Sequence, residues 1–424
     1  NLAKLLVGQT LAAPLKDASA KALKDHCFTI ADGTSLLRSA AIYGANASGK
    51  SNLIAAIRFM RKFVLDSSKE GQTKEAIPVE PFRLNTATAL EPSFFEAIFS
   101  VNKTTFRYGF MLDQEKVVSE WLSIFKNDAE KKLFTREANT IKVTAKFKEG
   151  KGLEEKTRNN ALFLSVAAQF NGRISTEALS WFDNLKIIMS SGGSPSDILT
   201  LLMMGDSQCK DDIVAFLKAM DSSIEDIRTR KSEIIGGIGF LGQLAASVVS
   251  EKDYLKLHLL ENHSNTVFET FHRIFDDKGE PCGMEIFSME EQESSGTQKV
   301  LSLAGPLLTV LKKGWILVVD ELDARLHPSL TKTLIHIFSD SKTNPLSAQL
   351  IFATHDIGLL DREIFRRDQI WFTEKDKYGA TSLYSLAEFK MKDMEPYAEG
   401  YVRGRYGAVP FTRALTLLME SPNE

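Results

Sequence analysis

The chain has 424 residues, is 43% hydrophobic and 25% charged, and carries a formal net charge of −3. This is the composition of a globular protein of one large or two to three ordinary domains. It excludes a polybasic nucleic-acid binder, so any nucleic-acid contact must be a local patch or belong to a partner. Cys27, Cys209 and Cys282 lie far apart with no metal-ligand spacing, which points to a reducing cytoplasm rather than a disulfide framework. No signal-peptide architecture and no apolar run long enough to span a bilayer is evident. Asn1 is not an initiator methionine, which leaves room for a native segment ahead of it.

Residues 1–38 carry little pattern, and Leu11 to Asp25 fits either a helix or a loosely paired edge. The apolar run Ala40-Ala41-Ile42-Tyr43 then leads into Gly44-Ala45-Asn46-Ala47-Ser48-Gly49-Lys50-Ser51, and Asn52 to Met60 follows with helical apolar spacing. This is G-x-x-x-x-G-K-[ST] between a buried strand and a helix, the setting a P-loop requires. Small residues let successive backbone N–H groups curl around an anion, and the helix N-terminus adds its positive end. Lys50 would meet the β/γ-phosphates of ATP, and the Ser51 hydroxyl would ligate Mg²⁺. The helix is expected from about Ser51 to Ser67.

A β-rich stretch follows. Phe94 to Val101 and Phe106 to Leu112 flank Asn102-Lys103-Thr104-Thr105 as a hairpin, and Val117 to Phe125, Lys132 to Arg136 and Thr140 to Phe147 continue a meander. From Asn160 the pattern turns helical over Ala161 to Gln169, Thr176 to Asn184 and Ser196 to Met220. Residues 253–290 return to strand-like alternation, in Tyr254 to Leu259 and again in Met284 to Phe287. No heptad run is sustained, which excludes a long coiled-coil arm.

The second half of the site begins at Glu293-Ser294-Ser295-Gly296-Thr297-Gln298-Lys299, which opens a helical pattern over Val300 to Leu311. Ile316-Leu317-Val318-Val319 then ends in Asp320-Glu321, a Walker B strand. Asp320 would hold the Mg²⁺ shell and Glu321 would polarise the attacking water, since phosphoanhydride hydrolysis needs a positioned base as well as charge neutralisation. A third buried strand, Gln349 to Ala353, ends near His355, a candidate γ-phosphate contact. Sites in parallel α/β sheets lie beyond the carboxyl ends of strands, where all three candidates fall.

Gly-x-Asn-x-x-Gly-Lys-Ser-Asn (through Asn52), the Ser-Gly helix start, Asp-Glu and Thr-His-Asp, in that order, resemble the head domain of the ABC-type ATPases of the SMC/RecF/RecN group. More narrowly the chain is similar to the RloA and AbiLii-like ATP-binding proteins of bacterial phage-defence and restriction-linked loci. That likeness includes Leu36 to Gly44, Pro81-Phe82-Arg83-Leu84, Asp320 to Pro328 and Gly404 to Pro410, and covers most of the chain from about residue 36. The resemblance implies an α/β fold: a P-loop NTPase of ABC/SMC-head type, a mixed sheet with an antiparallel β lobe and an inserted helical lobe. Residues 1–150 would form the N-terminal half of the head, 151–265 the helical insertion and 266–424 the C-terminal half.

It also implies an Mg²⁺-dependent ATPase working as a head-to-tail homodimer, or a higher homo-oligomer, with ATP sandwiched between subunits. Ser295 and Gly296 would be the signature that closes over the partner's γ-phosphate. Thr297 stands where that signature usually has a second glycine, and its side chain would either crowd the phosphate or donate a hydrogen bond. Asp323, with Ala324 and Arg325, would form the D-loop, and Gln169 is the candidate Q-loop glutamine. No histidine follows His355, which excludes a C-terminal HNH or R-x-x-x-x-H nuclease module, and the remaining stretch is short for a Toprim nuclease.

The expected function is therefore a nucleotide-gated switch in antiviral defence, controlling a separately encoded nuclease or toxin. A RecF-like DNA repair clamp and an ATP-bound assembly scaffold with little turnover are the rivals. An ABC transporter motor is disfavoured by the inserted lobes. The basic and aromatic run Phe389 to Arg405, interspersed with acids, reads as packing or a partner surface, which leaves direct nucleic-acid contact open.

Overall fold

The computed structural model describes residues 24–69, 75–126, 129–190, 195–231, 266–390 and 396–409. A short antiparallel ribbon, β1 (Cys27–Thr29) with β2 (Ser35–Leu37), leads into β3 (Ser39–Tyr43), every residue of which is buried. The nucleotide loop follows, and then α1 (Lys50–Asp66), which buries Leu53, Ile54, Ile57, Met60 and Val64, an i, i+3, i+4 stripe.

The β lobe is the expected meander: β4 (Ser93–Val101), β5 (Thr104–Leu112), β6 (Val117–Lys126), β7 (Ala129–Glu137) and β8 (Thr140–Val143), all antiparallel in sequence order. Asn102 and Lys103, at φ 46° and 70°, make the two-residue turn between β4 and β5, the primed geometry that suits the strands' right-handed twist. The strand expected over Thr140 to Phe147 stops at Val143. The chain beyond it turns into a 3₁₀ segment because Glu149 accepts the backbone N–H groups of Ile174 and Ser175 (3.0 and 2.7 Å), which draws it away from the sheet.

Two short helices, α2 (Phe163–Gln169) and α3 (Arg173–Asp183), pack on α1 and on β4. Then β9 (Leu185–Ile188) enters the central sheet beside the Walker B strand. The stretch 151–265, expected as a helical insertion, thus contributes a strand to the central sheet itself. Its remaining described elements are α4 (Pro195–Met203), α5 (Ser207–Met220) and β10 (Ile224–Lys231). The strand expected at Tyr254 to Leu259 lies outside the described residues. β11 (Thr266–Phe275) and β12 (Pro281–Ser288) complete a three-stranded antiparallel sheet with β10.

The chain continues with α6 (Ser295–Lys313), β13 (Ile316–Val319), α7 (Pro328–Ser339), β14 (Gln349–Ala353), β15 (Ile370–Lys375), β16 (Thr381–Ser385) and α8 (Tyr397–Val402). Pro306 inside α6 is accommodated by Thr200 on α4, whose hydroxyl accepts the N–H of Gly305 and donates to the Leu301 carbonyl (3.0 and 3.1 Å). The central sheet has the order β16-β15-β3-β14-β13-β9; β15, β3, β14, β13 and β9 run parallel and β16 turns back against β15. Side chains alternate across it. Ile316 and Val318 face the core shared with α1 and the β lobe, whereas Leu317 and Val319 face the core shared with α6 and α7.

All five parallel strands therefore point their carboxyl ends to one edge. Among the described residues the longest helix is α6, at 19 residues, and no helix is long and apolar enough to cross a membrane. Tyr397, Tyr401 and Tyr406 are buried in the second core, so these aromatics of the C-terminal run serve packing.

Candidate nucleotide site

The loop between β3 and α1 is shaped by two residues in the left-handed region, Ala47 at φ 60° and Gly49 at φ 108°. A side chain at Gly49 would run into Thr381, and one at Gly44 into Thr373. Those two threonines, on the β15–β16 hairpin, hold the loop. Thr373 Oγ1 lies 2.7 Å from Ser48 Oγ, and Thr381 Oγ1 donates to the Ser48 carbonyl at 2.9 Å. Neither threonine stood out in the sequence, because their proximity depends on the β15–β3 pairing.

Lys50 is 5% exposed and folds back over the loop, donating to the carbonyls of Gly44 (2.7 Å) and Ala45 (3.1 Å). Burial pushes its ammonium pKa down, opposed by the charges of Asp320, Glu321 and Asp323. The P-loop lysine and the Walker B acids thus lie within one another's fields. Ser51 opens α1 at its first turn and is exposed, as is Asn52. Asn46 and Ala47 are likewise exposed, so the crest of the loop faces solvent.

Asp320 closes β13 and is 1% exposed; its N–H donates to the Ile188 carbonyl, continuing the ladder with β9. Ser190, just past β9, donates its hydroxyl to Asp320 Oδ2 at 2.9 Å, whereas Oδ1 is buried with no hydrogen-bond partner. A buried carboxylate oxygen left unpaired costs on the order of 1–3 kcal/mol, and a cation in the loop would satisfy it. Among the described residues no group of three or more His, Cys, Asp or Glu side chains forms a metal site by itself. Mg²⁺ here would be held by Ser51 and Asp320 together with phosphate oxygens, the usual way this ion binds beside a nucleotide. The residues present fit the ion.

Glu321 takes φ 52°, a strained conformation for a residue with a Cβ, costing roughly 1–3 kcal/mol. That turn sends the chain from β13 into the D-loop, and the Leu322 N–H returns to the Ala353 carbonyl at 3.1 Å. His355 is exposed just beyond β14, and its N–H donates to Asp323 Oδ2 at 3.3 Å. Burial and then the Lys50 charge lower its pKa, against the pull of Asp323, Glu321 and Asp320. Lys50, Asp320, Glu321, Asp323 and His355 are therefore gathered at one sheet edge. Asp323 Oδ1, like that of Asp320, is buried without a partner. Lys299, in the first turn of α6, also enters this field: burial lowers its pKa and the Glu321 charge opposes that.

Two expectations come out differently. Gln169 ends α2, with α3 between it and β9 in the chain, and makes no side-chain hydrogen bond among the described residues. The residue that reaches Asp320 from the preceding strand is Ser190, because β9 and not α2 lies beside β13. Thr297 is turned inward and 5% exposed; its hydroxyl donates to Asp221 Oδ2 at 3.0 Å, so its side chain does not face the surface where a phosphate would lie. Ser294 and Ser295 are exposed, and Gly296 packs against the Arg325 carbonyl of the D-loop. Two cavities lie elsewhere. One, of about 540 Å³, runs along α1 between Phe59, Phe63 and Ile77; the other, of about 630 Å³, lies near Trp181 and Trp315.

Residues 39–361 match the family described as "AAA domain, putative AbiEii toxin, Type IV TA system". Among solved structures, the SMC head domain from Thermotoga maritima is 14% identical, covering 85% of this chain and 95% of that chain at a TM-score of 0.35. The SmcHead bound to the C-winged helix domain of ScpA is 13% identical over 83% of this chain and 91% of that chain, also at 0.35. The cbiO1 protein of Clostridium perfringens, part of an ABC transporter complex, is 13% identical over 97% and 99% at 0.27. A comparison with curated proteins finds no match. The family match spans Gly44 to Ser51, Ser295, Asp320, Glu321 and His355 and takes in more than half of the chain, and the chain belongs to this AAA-domain, putative AbiEii family.

Proposed function

We propose that this protein binds and hydrolyses MgATP as a nucleotide-gated dimeric switch in bacterial anti-phage defence, controlling a separately encoded nuclease or toxin. The observation that carries the reading is that Lys50, Asp320, Glu321 and His355 lie within one another's fields at one sheet edge, while Ser294 and Ser295, at the start of α6, are exposed. In this reading each chain supplies one half of a site and a second copy the other.

In this mechanism Lys50 leaves the Gly44 and Ala45 carbonyls for the β/γ-phosphates, and the loop N–H groups cradle them. Ser51 and Asp320 would hold Mg²⁺, which when bound would neutralise charge developing on the phosphates. Glu321 orients a water for in-line attack and takes its proton, and His355 contacts the γ-phosphate. Ser295 and Gly296 of the partner would seal the nucleotide, and Asp323, one of whose carboxylate oxygens has no hydrogen-bond partner, would meet the partner as the D-loop acid. Hydrolysis releases the seal.

The defence setting is supported by the family description, which names a type IV toxin–antitoxin system. A DNA-clamp reading draws less support, since Tyr397, Tyr401 and Tyr406 are committed to the core. The test is plating efficiency of a phage panel on cells carrying the locus with its neighbouring genes. Protection should be lost with Lys50→Ala and with deletion of the neighbouring effector gene. Protection that persists in both would overturn the switch.

A further inference from the structure

The turn that begins α6 is fastened by side chains in a way the nucleotide chemistry alone does not require. Ser294 caps the helix, accepting the Thr297 N–H at 3.1 Å and lying 2.9 Å from the Thr297 hydroxyl, which in turn donates to Asp221 Oδ2. Asp221 ends α5, and its other oxygen is occupied by the Ser223 N–H and hydroxyl (3.1 and 2.7 Å), so Oδ2 is aimed at Thr297. One residue before the cap, Glu293 accepts from Thr270 and pairs with His272 Nε2 at 2.7 Å, both on β11. The Gln298 amide donates to the carbonyls of Met289, Glu290 and Glu293 (2.9, 3.2 and 3.3 Å), closing the link from β12 to α6.

This accounts for the first-turn donors. Thr297 N–H is satisfied by the cap, while Ser295 and Gly296, ahead of it in the first turn, have no partner within the helix for theirs. A β-branched residue at 297 also restricts its own rotamer, so the turn and Asp221 move together or not at all.

We infer that Asp221, acting through Thr297, and the Glu293–His272 pair are positioning residues for ATP hydrolysis. They hold the Ser294–Gly296 turn in the form that meets a partner's phosphate, and they make the β10–β11–β12 sheet part of the closing element. The inference rests on the sandwich reading above. A shift of that sheet moves the turn, and closure of the turn over phosphate is felt in the sheet.

The test uses the full chain carrying Glu321→Gln, to trap ATP, and the same substitutions in the parental chain for turnover. Thr297→Val keeps the shape and deletes the hydroxyl; Thr297→Ser keeps the hydroxyl; Glu293→Gln removes the carboxylate that Thr270 and His272 hold at the other end. ATP-driven dimerisation by sedimentation should weaken about tenfold in Thr297→Val and Glu293→Gln, with kcat falling alongside, while nucleotide Kd of the monomer stays within twofold. Thr297→Ser should restore both. If Thr297→Val does not fold, Glu293→Gln decides alone. Parental dimerisation and kcat in the variants, with or without a lower Tm, would overturn the inference and leave the sandwich standing. An Glu321→Gln chain that stays monomeric in ATP would instead remove the sandwich, and this inference with it.

Discussion

The Ser190 hydroxyl donates to Oδ2 of Asp320 at 2.9 Å, across the pairing of β9 with β13, while Oδ1 of the same carboxylate remains buried and unpaired. One oxygen is fixed so that the other is held ready. Ser190→Ala frees the carboxylate to rotate, so the Mg²⁺ concentration for half-maximal ATPase should rise roughly three- to tenfold, the worth of one charge-assisted hydrogen bond. A Mg²⁺ titration of turnover checks this, and an unchanged titration contradicts the role.

Glu321 sits at φ 52°, where the backbone projects it from the end of β13. Its role as base concerns water alone, so Glu321→Gln should keep ATP binding and lose hydrolysis by about 10² to 10⁴. Nucleotide binding by equilibrium titration beside steady-state phosphate release separates the two. Parental turnover would remove Glu321 from the mechanism.

The loop is buttressed from the β15–β16 hairpin. Thr373 is fully buried and bonded both to Ser48 and to the Tyr43 carbonyl at 3.2 Å. Thr373→Val removes both bonds at similar volume, which should cost roughly 1–3 kcal/mol. The loss is expected in Tm and, because the P-loop loses its brace, as a several-fold rise in ATP Kd. Calorimetric melting with and without ATP measures both.

Stability should also depend on pH through His26, which is buried against Gln369 at 2.8 Å. Burial lowers its pKa below the usual 6.5, with Arg366 adding to the effect and Gln369 opposing it. The unfolded chain therefore binds a proton before the native one does, and stability falls as pH drops through the unfolded value toward the folded one. Melting curves from about pH 7.5 to 5 should show that decline partly relieved in His26→Gln, with reference near 6.5. An identical slope in the two proteins would contradict it.

Much of this was legible in sequence because the nucleotide chemistry is local. Gly44 to Ser51 shapes one loop, and the apolar runs ending in Asp320 and near His355 mark buried parallel strands whatever surrounds them. The hairpin at Asn102-Lys103 was readable for the same reason. What escaped depends on which distant segments become neighbours. β9 is four residues long and gives no signal of its own, so Ser190, just past it, does not stand out in the sequence. Thr297 reads in sequence as either a crowding side chain or a hydrogen-bond donor, and only the fold shows its hydroxyl donating to Asp221, remote in sequence. Thr373 and Thr381 are ordinary strand threonines until β15 pairs with β3.

The central claim is that each triphosphate is gripped by one protomer and sealed by its partner. Lys50→Ala removes the grip and Ser295→Arg blocks the seal, so each protein alone should be inactive. Mixed in equal amounts, half of the dimers would hold one intact composite site, and ATPase should recover to roughly a quarter of the parental rate. A mixture no more active than its two components would contradict the account.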